Sequence, residues 1–159
     1  MFEYLSKEAI NSMLPQGLRI SDERGKYNIY PTENGDLIVA TESKNVSRSN
    51  RYVYEVMYSL YLDLYLERCI KYVCLSIYND GVLLIPIDDL IQIKDKLESR
   101  LYPLGRGENK EEYIRYDLKA YIENEKITLF RAKNHYEMDL TKYFIPYSND
   151  ESFFIELDE

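Results

Sequence analysis

Behind Ser6, the apolar residues Ala9, Ile10, Met13 and Leu14 recur at helical spacing. This predicts a first helix with Ser6 as its N-cap, stopped by Pro15 and Gly17. Alternation over 26–30 and 36–41 predicts two strands joined by the turn Pro31-Thr32-Glu33-Asn34-Gly35, and 45–50 reads as a polar loop. Next comes RYVYEVMYSLYLDLYLERC, residues 51–69, where Val53, Met57, Leu60 and Leu64 form one helical stripe. Tyr54, Tyr58, Tyr61 and Tyr65 form its neighbour. The expectation is a long helix with a wide core face whose tyrosine edge reaches solvent; a surface for bases or a partner protein is the functional alternative.

Residues 71–78 form a strongly apolar strand that Asn79-Asp80-Gly81 turns directly into 82–85, so the two are expected as antiparallel neighbours. Asp88 or Asp89 is expected to cap a helix running to about Arg100. The segment 103–108, with Gly105 and Gly107, has the most flexible composition. A second hairpin is expected from 113–121 and 126–132 around Glu123-Asn124-Glu125, then a short element over 139–143 and a strand near 153–157. The order is helix, hairpin, helix, hairpin, helix, hairpin. It predicts a mixed α/β (α+β) fold, one domain over 1–159, with a central mixed sheet built from hairpins and flanked by helices.

Composition narrows the function classes. The chain is 45% hydrophobic and 30% charged with 6 Gly and 5 Pro, an ordinary globular balance. Its net charge of −8 disfavours non-specific binding to nucleic acid or anionic membranes while leaving room for a local basic patch. The 17 tyrosines, beside 5 Phe and no Trp, suit half-buried surfaces where the ring packs and the hydroxyl stays wet. Cys69 and Cys74 lack the spacing of a zinc or redox pair and read as reduced core residues, hence a cytoplasmic protein. The apolar run 82–87 is too short to cross a bilayer, and the first residues lack a signal-peptide pattern.

The strongest chemical signal is Glu42-Ser43-Lys44, at the end of the returning strand. Alternation places Glu42 and Lys44 on one strand face. Asp36, on the same face, is about 20 Å from Glu42 along an extended strand and cannot share its metal. With the turn centred on Glu33, facing residues sum to about 66, so Glu42 faces Arg24 and Lys44 faces Asp22. Two carboxylates and a lysine so placed suit Mg²⁺ or Mn²⁺. The metal, held by Asp22 and Glu42 with Glu8 as an outer carboxylate, would activate a water, and Lys44 would stabilise charge on phosphorus. Arg48 and Arg51 flank the polar loop and suit phosphate contacts. His135 is the one histidine, which leaves no histidine-pair site.

The layout resembles the PD-(D/E)xK nuclease-like superfamily, the fold of many restriction endonucleases. Asp22, a hairpin, Glu42-Ser43-Lys44, the Ser/Asn/Arg loop and the expected helix carry the resemblance. So do YVCLSIYNDGVLLIPIDDL, residues 72–90, and DLTKYF, residues 139–144. Ser21 stands where that family often has proline, and Thr41 and Ser43 replace its usual apolar flanks. The resemblance implies a restriction-endonuclease-like fold and a metal-dependent nuclease, or a nuclease-fold subunit, acting on DNA ahead of RNA, alone or as a homodimer. The other reading is a non-enzymatic, acidic, tyrosine-rich binding protein. It would mimic DNA or occlude a nucleic-acid-binding protein, as phage anti-defence inhibitors do.

Overall fold

Ser6 behaves as its position predicts. Its side chain accepts a hydrogen bond from Ala9 N at 3.1 Å and opens α1, Lys7–Met13. Removing that acceptor in Ser6→Ala should cost about 0.5–1 kcal/mol, read as a small drop in thermal midpoint. The computed structural model describes residues 3–21, 25–104 and 111–147. Asp22, most of the 103–108 segment and the strand expected near 153–157 lie outside the described residues.

Downstream of α1 the chain departs from the expected hairpin. Tyr27 and Asn28 both take positive φ, near 61°, and a 3₁₀ turn Lys26–Asn28 occupies the start of the expected strand. Only β1, Ile29–Pro31, is left to pair antiparallel with β2, Leu37–Glu42. Its register runs from Ile29↔Val39 to Pro31↔Leu37, so facing residues sum to 68 rather than 66. Ser21 N instead donates to Pro31 O, at the turn end of β1. The expected continuation of pairing as far as Glu42 and Lys44 is not made.

The largest correction concerns 51–69. After β3, Lys44–Arg48, the expected long helix is β4, Val53–Leu60, followed by a short helix α2, Leu62–Glu67. Burial alternates strictly along β4: Tyr54, Val56, Tyr58 and Leu60 are in, and Val53, Glu55, Met57 and Ser59 are half out. The segment satisfies a period of two as well as a period near 3.6. Its Val and Tyr content favours the strand once a partner strand buries one face.

Beyond α2, β5 (Ile70–Ile77) turns through Asn79 and Asp80 into β6 (Gly81–Pro86), antiparallel as expected. The next helix, α3, is Ile87–Ile93, without a side-chain cap from either aspartate. It passes through a 3₁₀ turn and stops well short of Arg100, because 98–104 is claimed as β7, Glu98–Leu104, by β8, Glu111–Glu123. The β8 hairpin to β9, Lys126–Leu129, turns on Asn124 and Glu125, both at positive φ, as a two-residue loop requires. Two short strands, β10 (Met138–Asp139) and β11 (Phe144–Pro146), complete the sheets.

The fold is therefore α+β and sheet-rich, with two sheets in place of one central sheet. The first has the order β1-β2-β5-β6-β11 and is mixed, because β2 and β5 run parallel. The second has the order β10-β9-β8-β4-β3, with β7 also on β8, and is antiparallel throughout. Their inner faces share one core, including Tyr58, Leu60, Val73, Leu75, Leu83 and Leu118. On the outer face of the first sheet, α1 and its flanks cover Ile38, Cys74 and Val82. Cys69, expected in the core, is exposed at φ 57°, the left-handed position that ends α2.

The chain enters the second sheet at Ser43, returns through α2, crosses again through α3, and returns once more to β11. Helices α2 and α3 touch and close one end of the two-sheet body. At that end β7 and the first residues of β8 run on as a two-stranded ribbon, because β4 stops at Leu60, opposite Tyr116. On one ribbon face Leu101 sits across from Ile114, and these are 59% and 37% exposed. On the other, Tyr102 is 40% exposed, with the Arg115 and Arg100 guanidinium carbons 4.9 and 5.8 Å from its ring centroid. No helix of the described residues is long and apolar enough to cross a membrane.

Candidate functional site

Glu42-Ser43-Lys44 is a corner. Glu42 is the last residue of β2 and Lys44 the first of β3, so the two belong to different sheets and do not share a continuous strand face. Ser43 between them is 1% exposed. Its N–H donates to Ser76 O at 3.1 Å, and its carbonyl accepts the Tyr4 hydroxyl. Burying the middle residue turns both charged neighbours out to solvent. Both still line one open cleft with Asn28, Tyr30 and Thr41.

The other expected groups are distributed around this corner. Glu8 is exposed on the first turn of α1, whereas Lys7 and Ile10 line the groove that reaches Glu42. Asp22, the intended second carboxylate, is outside the described residues. Among the described residues no group of three or more His, Cys, Asp or Glu side chains is placed to hold a metal ion. Arg48 ends β3 opposite Tyr54, and Arg51 lies just past it. These arginines lead away from Glu42, toward the end of the body opposite the helices.

A row of tyrosines connects the corner to that end. Tyr4 packs on Tyr78 with centroids 5.3 Å apart, and Tyr78 packs on Tyr54 at 5.8 Å. Tyr54 donates its hydroxyl to Asp80, and Tyr58 donates to Ser76 O at 2.9 Å. Burial raises the pKa of both phenols, and in Tyr54 the Asp80 carboxylate raises it further. The row is hidden in the sequence because Tyr54 and Tyr58 share helical spacing with Tyr61 and Tyr65. Asp80 was visible only as part of an Asn-Asp-Gly turn.

Between the loops at this end opens a cavity of about 190 Å³. Arg51, Asn79, Asp80, Asn124 and Glu125 surround its mouth, and Tyr54 contributes to its wall. Ile77, Ile122, Ile127 and Phe144 lie deeper. It combines an apolar interior with a few convergent polar groups, the ordinary make-up of a small-molecule site.

The phenols carry a pH prediction. Tyr65 is pushed up to about 12 by burial, and Tyr143 to about 12 by burial and its 2.7 Å hydrogen bond to Asp89. A folded pKa raised above the unfolded value of about 10 stabilises the fold fully below pH 10 and loses that contribution as pH rises through the folded value. Absorbance titration at 295 nm should show a group of tyrosines, Tyr65 and Tyr143 among them, that ionises only as pH rises toward about 12, together with loss of circular dichroism. A single transition that ionises every tyrosine near pH 10 with the fold intact would contradict this burial. Comparison of the chain with protein-family models, with curated proteins and with solved structures gives no match, which leaves the chemistry of these groups as the guide to their use.

Proposed function

We propose that the protein is a non-enzymatic binding module that docks a partner protein through its β7–β8 ribbon. The observation that carries this reading is the ribbon's exposed surface. Leu101, Tyr102 and Ile114 are set there, beyond the last β4 partner, with Arg100 and Arg115 against the Tyr102 ring. The Leu101–Ile114 pair gives one face an exposed apolar patch of the kind that marks interaction surfaces, and the opposite face presents Tyr and Arg, the residues interfaces favour. Nearby, Glu67 of α2 accepts the Tyr113 hydroxyl, and Leu66 beside it is 44% exposed. The net charge of −8 repels nucleic acid from most of the surface, which favours a protein partner, nucleic-acid-binding proteins included.

The test is affinity capture from the source cells with wild type and a Leu101→Glu/Ile114→Lys variant, whose opposite charges face one another across the ribbon. The variant should melt like wild type, because both positions are exposed, and should lose the captured protein. Capture that is identical in the two would sink the reading. The cleft shared by Glu42 and Lys44 favours a second reading, the metal-dependent nuclease of the PD-(D/E)xK kind. Plasmid, single-stranded DNA and structured RNA should survive incubation with the protein and Mg²⁺ or Mn²⁺ if the first reading holds. Cleavage that appears in wild type and vanishes in Glu42→Ala would replace it with the second.

A further inference from the structure

The mouth at the end opposite the helices is bordered by charges that form no ion pair with other described residues. Among the described residues Arg51 makes no ion pair, and neither do Asp80 and Glu125. All three nevertheless border one cavity. The chain fixes them there separately. Arg51 sits in the turn where Asn50 accepts from Tyr52 N and Val53 N. Asp80 is held by its N–H to Ile77 O, by its carbonyl, which accepts Tyr147 N, and by its carboxylate, which accepts the Tyr54 hydroxyl and keeps a second oxygen. Glu125 is the second residue of the β8–β9 turn, whose Asn124 N donates to Tyr52 O. Opposite charges from three separate turns thus border one opening.

Size and charge narrow the ligand. At roughly 30 Å³ per water, the cavity of about 190 Å³ corresponds to about six waters, the scale of one large apolar side chain. Its interior of Ile77, Ile122, Ile127 and Phe144 suits such a group. One cation and two carboxylates at the rim repel a phosphate dianion but match a ligand carrying one negative and one positive charge. The amides of Asn79 and Asn124 can donate to or accept from either end.

We propose that this mouth binds a small zwitterion with an apolar tail, of the class of a hydrophobic α-amino acid. Its carboxylate meets Arg51, its ammonium meets Asp80 and Glu125, and its side chain enters the apolar interior. The assignment is independent of the ribbon and of Glu42.

The experiment is a titration of the ¹⁵N-labelled protein with leucine, phenylalanine, leucinamide, N-acetylleucine and adenosine monophosphate. Leucine or phenylalanine should shift the amides of Asn79–Gly81 and of Asn124–Glu125 in a saturable way. Leucinamide, lacking the carboxylate, and N-acetylleucine, lacking the ammonium, should each bind at least tenfold more weakly. Arg51→Gln, at an exposed position that leaves the fold intact, should weaken leucine at least tenfold while leaving leucinamide unchanged. Glu125→Gln should weaken leucinamide and spare N-acetylleucine. The proposal is overturned if no hydrophobic amino acid saturates at millimolar concentration, or if leucinamide binds as well as leucine. Preferential binding of the nucleotide, or an Arg51→Gln variant that binds leucine like wild type, overturns it equally.

Discussion

Tyr58→Ala should destabilise the protein by about 3–5 kcal/mol, the range for emptying a fully buried aromatic site. Tyr58 is 1% exposed on β4, in the second sheet, and its hydroxyl crosses the core to Ser76 O on β5, in the first. Truncation removes packing from both sheets and leaves a cavity that neither can collapse into without breaking its strand ladder. Tyr58→Phe separates the ring from the hydroxyl. Ser76 O keeps the Ser43 N–H as a second donor, so the phenylalanine variant should lose only about 0.5–1.5 kcal/mol. Tyr52→Ala, at a position 62% exposed, should stay within about 0.5 kcal/mol of wild type. Urea unfolding measures all three. Typical domain stability is only about 5–15 kcal/mol, so the alanine variant can fall below the threshold for folding, and the phenylalanine variant then supplies the graded value. An alanine variant as stable as Tyr52→Ala would refute the inward orientation of β4.

Gly81→Ala should rank next, at about 2–5 kcal/mol, from left-handed backbone strain and overpacking together. Gly81 has φ 156°, and an added Cβ would lie 2.3 Å from Ile145 O and 2.7 Å from the Phe144 ring. The oxygen belongs to β11, which pairs with β6 through Gly81↔Pro146, so it cannot retreat without loosening that strand. Hydrogen exchange should accordingly speed up at Phe144 and Ile145 before the rest of the first sheet. Gly35→Ala is the control: φ is 91°, but nothing lies within 4 Å of the added carbon, so only strain of about 1–2 kcal/mol is expected. Equal losses at the two glycines would mean that β11 does not press on Gly81.

These two sites also show where inference from sequence reached and where it stopped. The β5–β6 and β8–β9 hairpins were legible because each is joined by a short turn of Asn, Asp, Gly or Glu between strongly apolar strands. Ser6 was legible as a cap because capping is a local hydrogen bond. In 53–60 the same residues satisfy two periodicities, and only the partner β8 selects the strand. The 98–104 segment had no helical stripe of its own, and pairing with β8 decided it.

For the candidate sites the division is sharper. The sequence by itself determined the α+β class, the helix start at Ser6 and two hairpins, since each depends on residues close in the chain. Tertiary structure alone decided that Ser43 is a buried corner between sheets, because that depends on the parallel pairing of β2 with β5, some thirty residues away. It alone brought Arg51, Asp80 and Glu125 to one opening: local sequence identifies the turns of Asp80 and Glu125, whereas the turn of Arg51 exists only because 53–60 is a strand and not the expected helix. Local hydrogen bonding and periodicity set the elements; burial shared between two sheets set which ends of them meet.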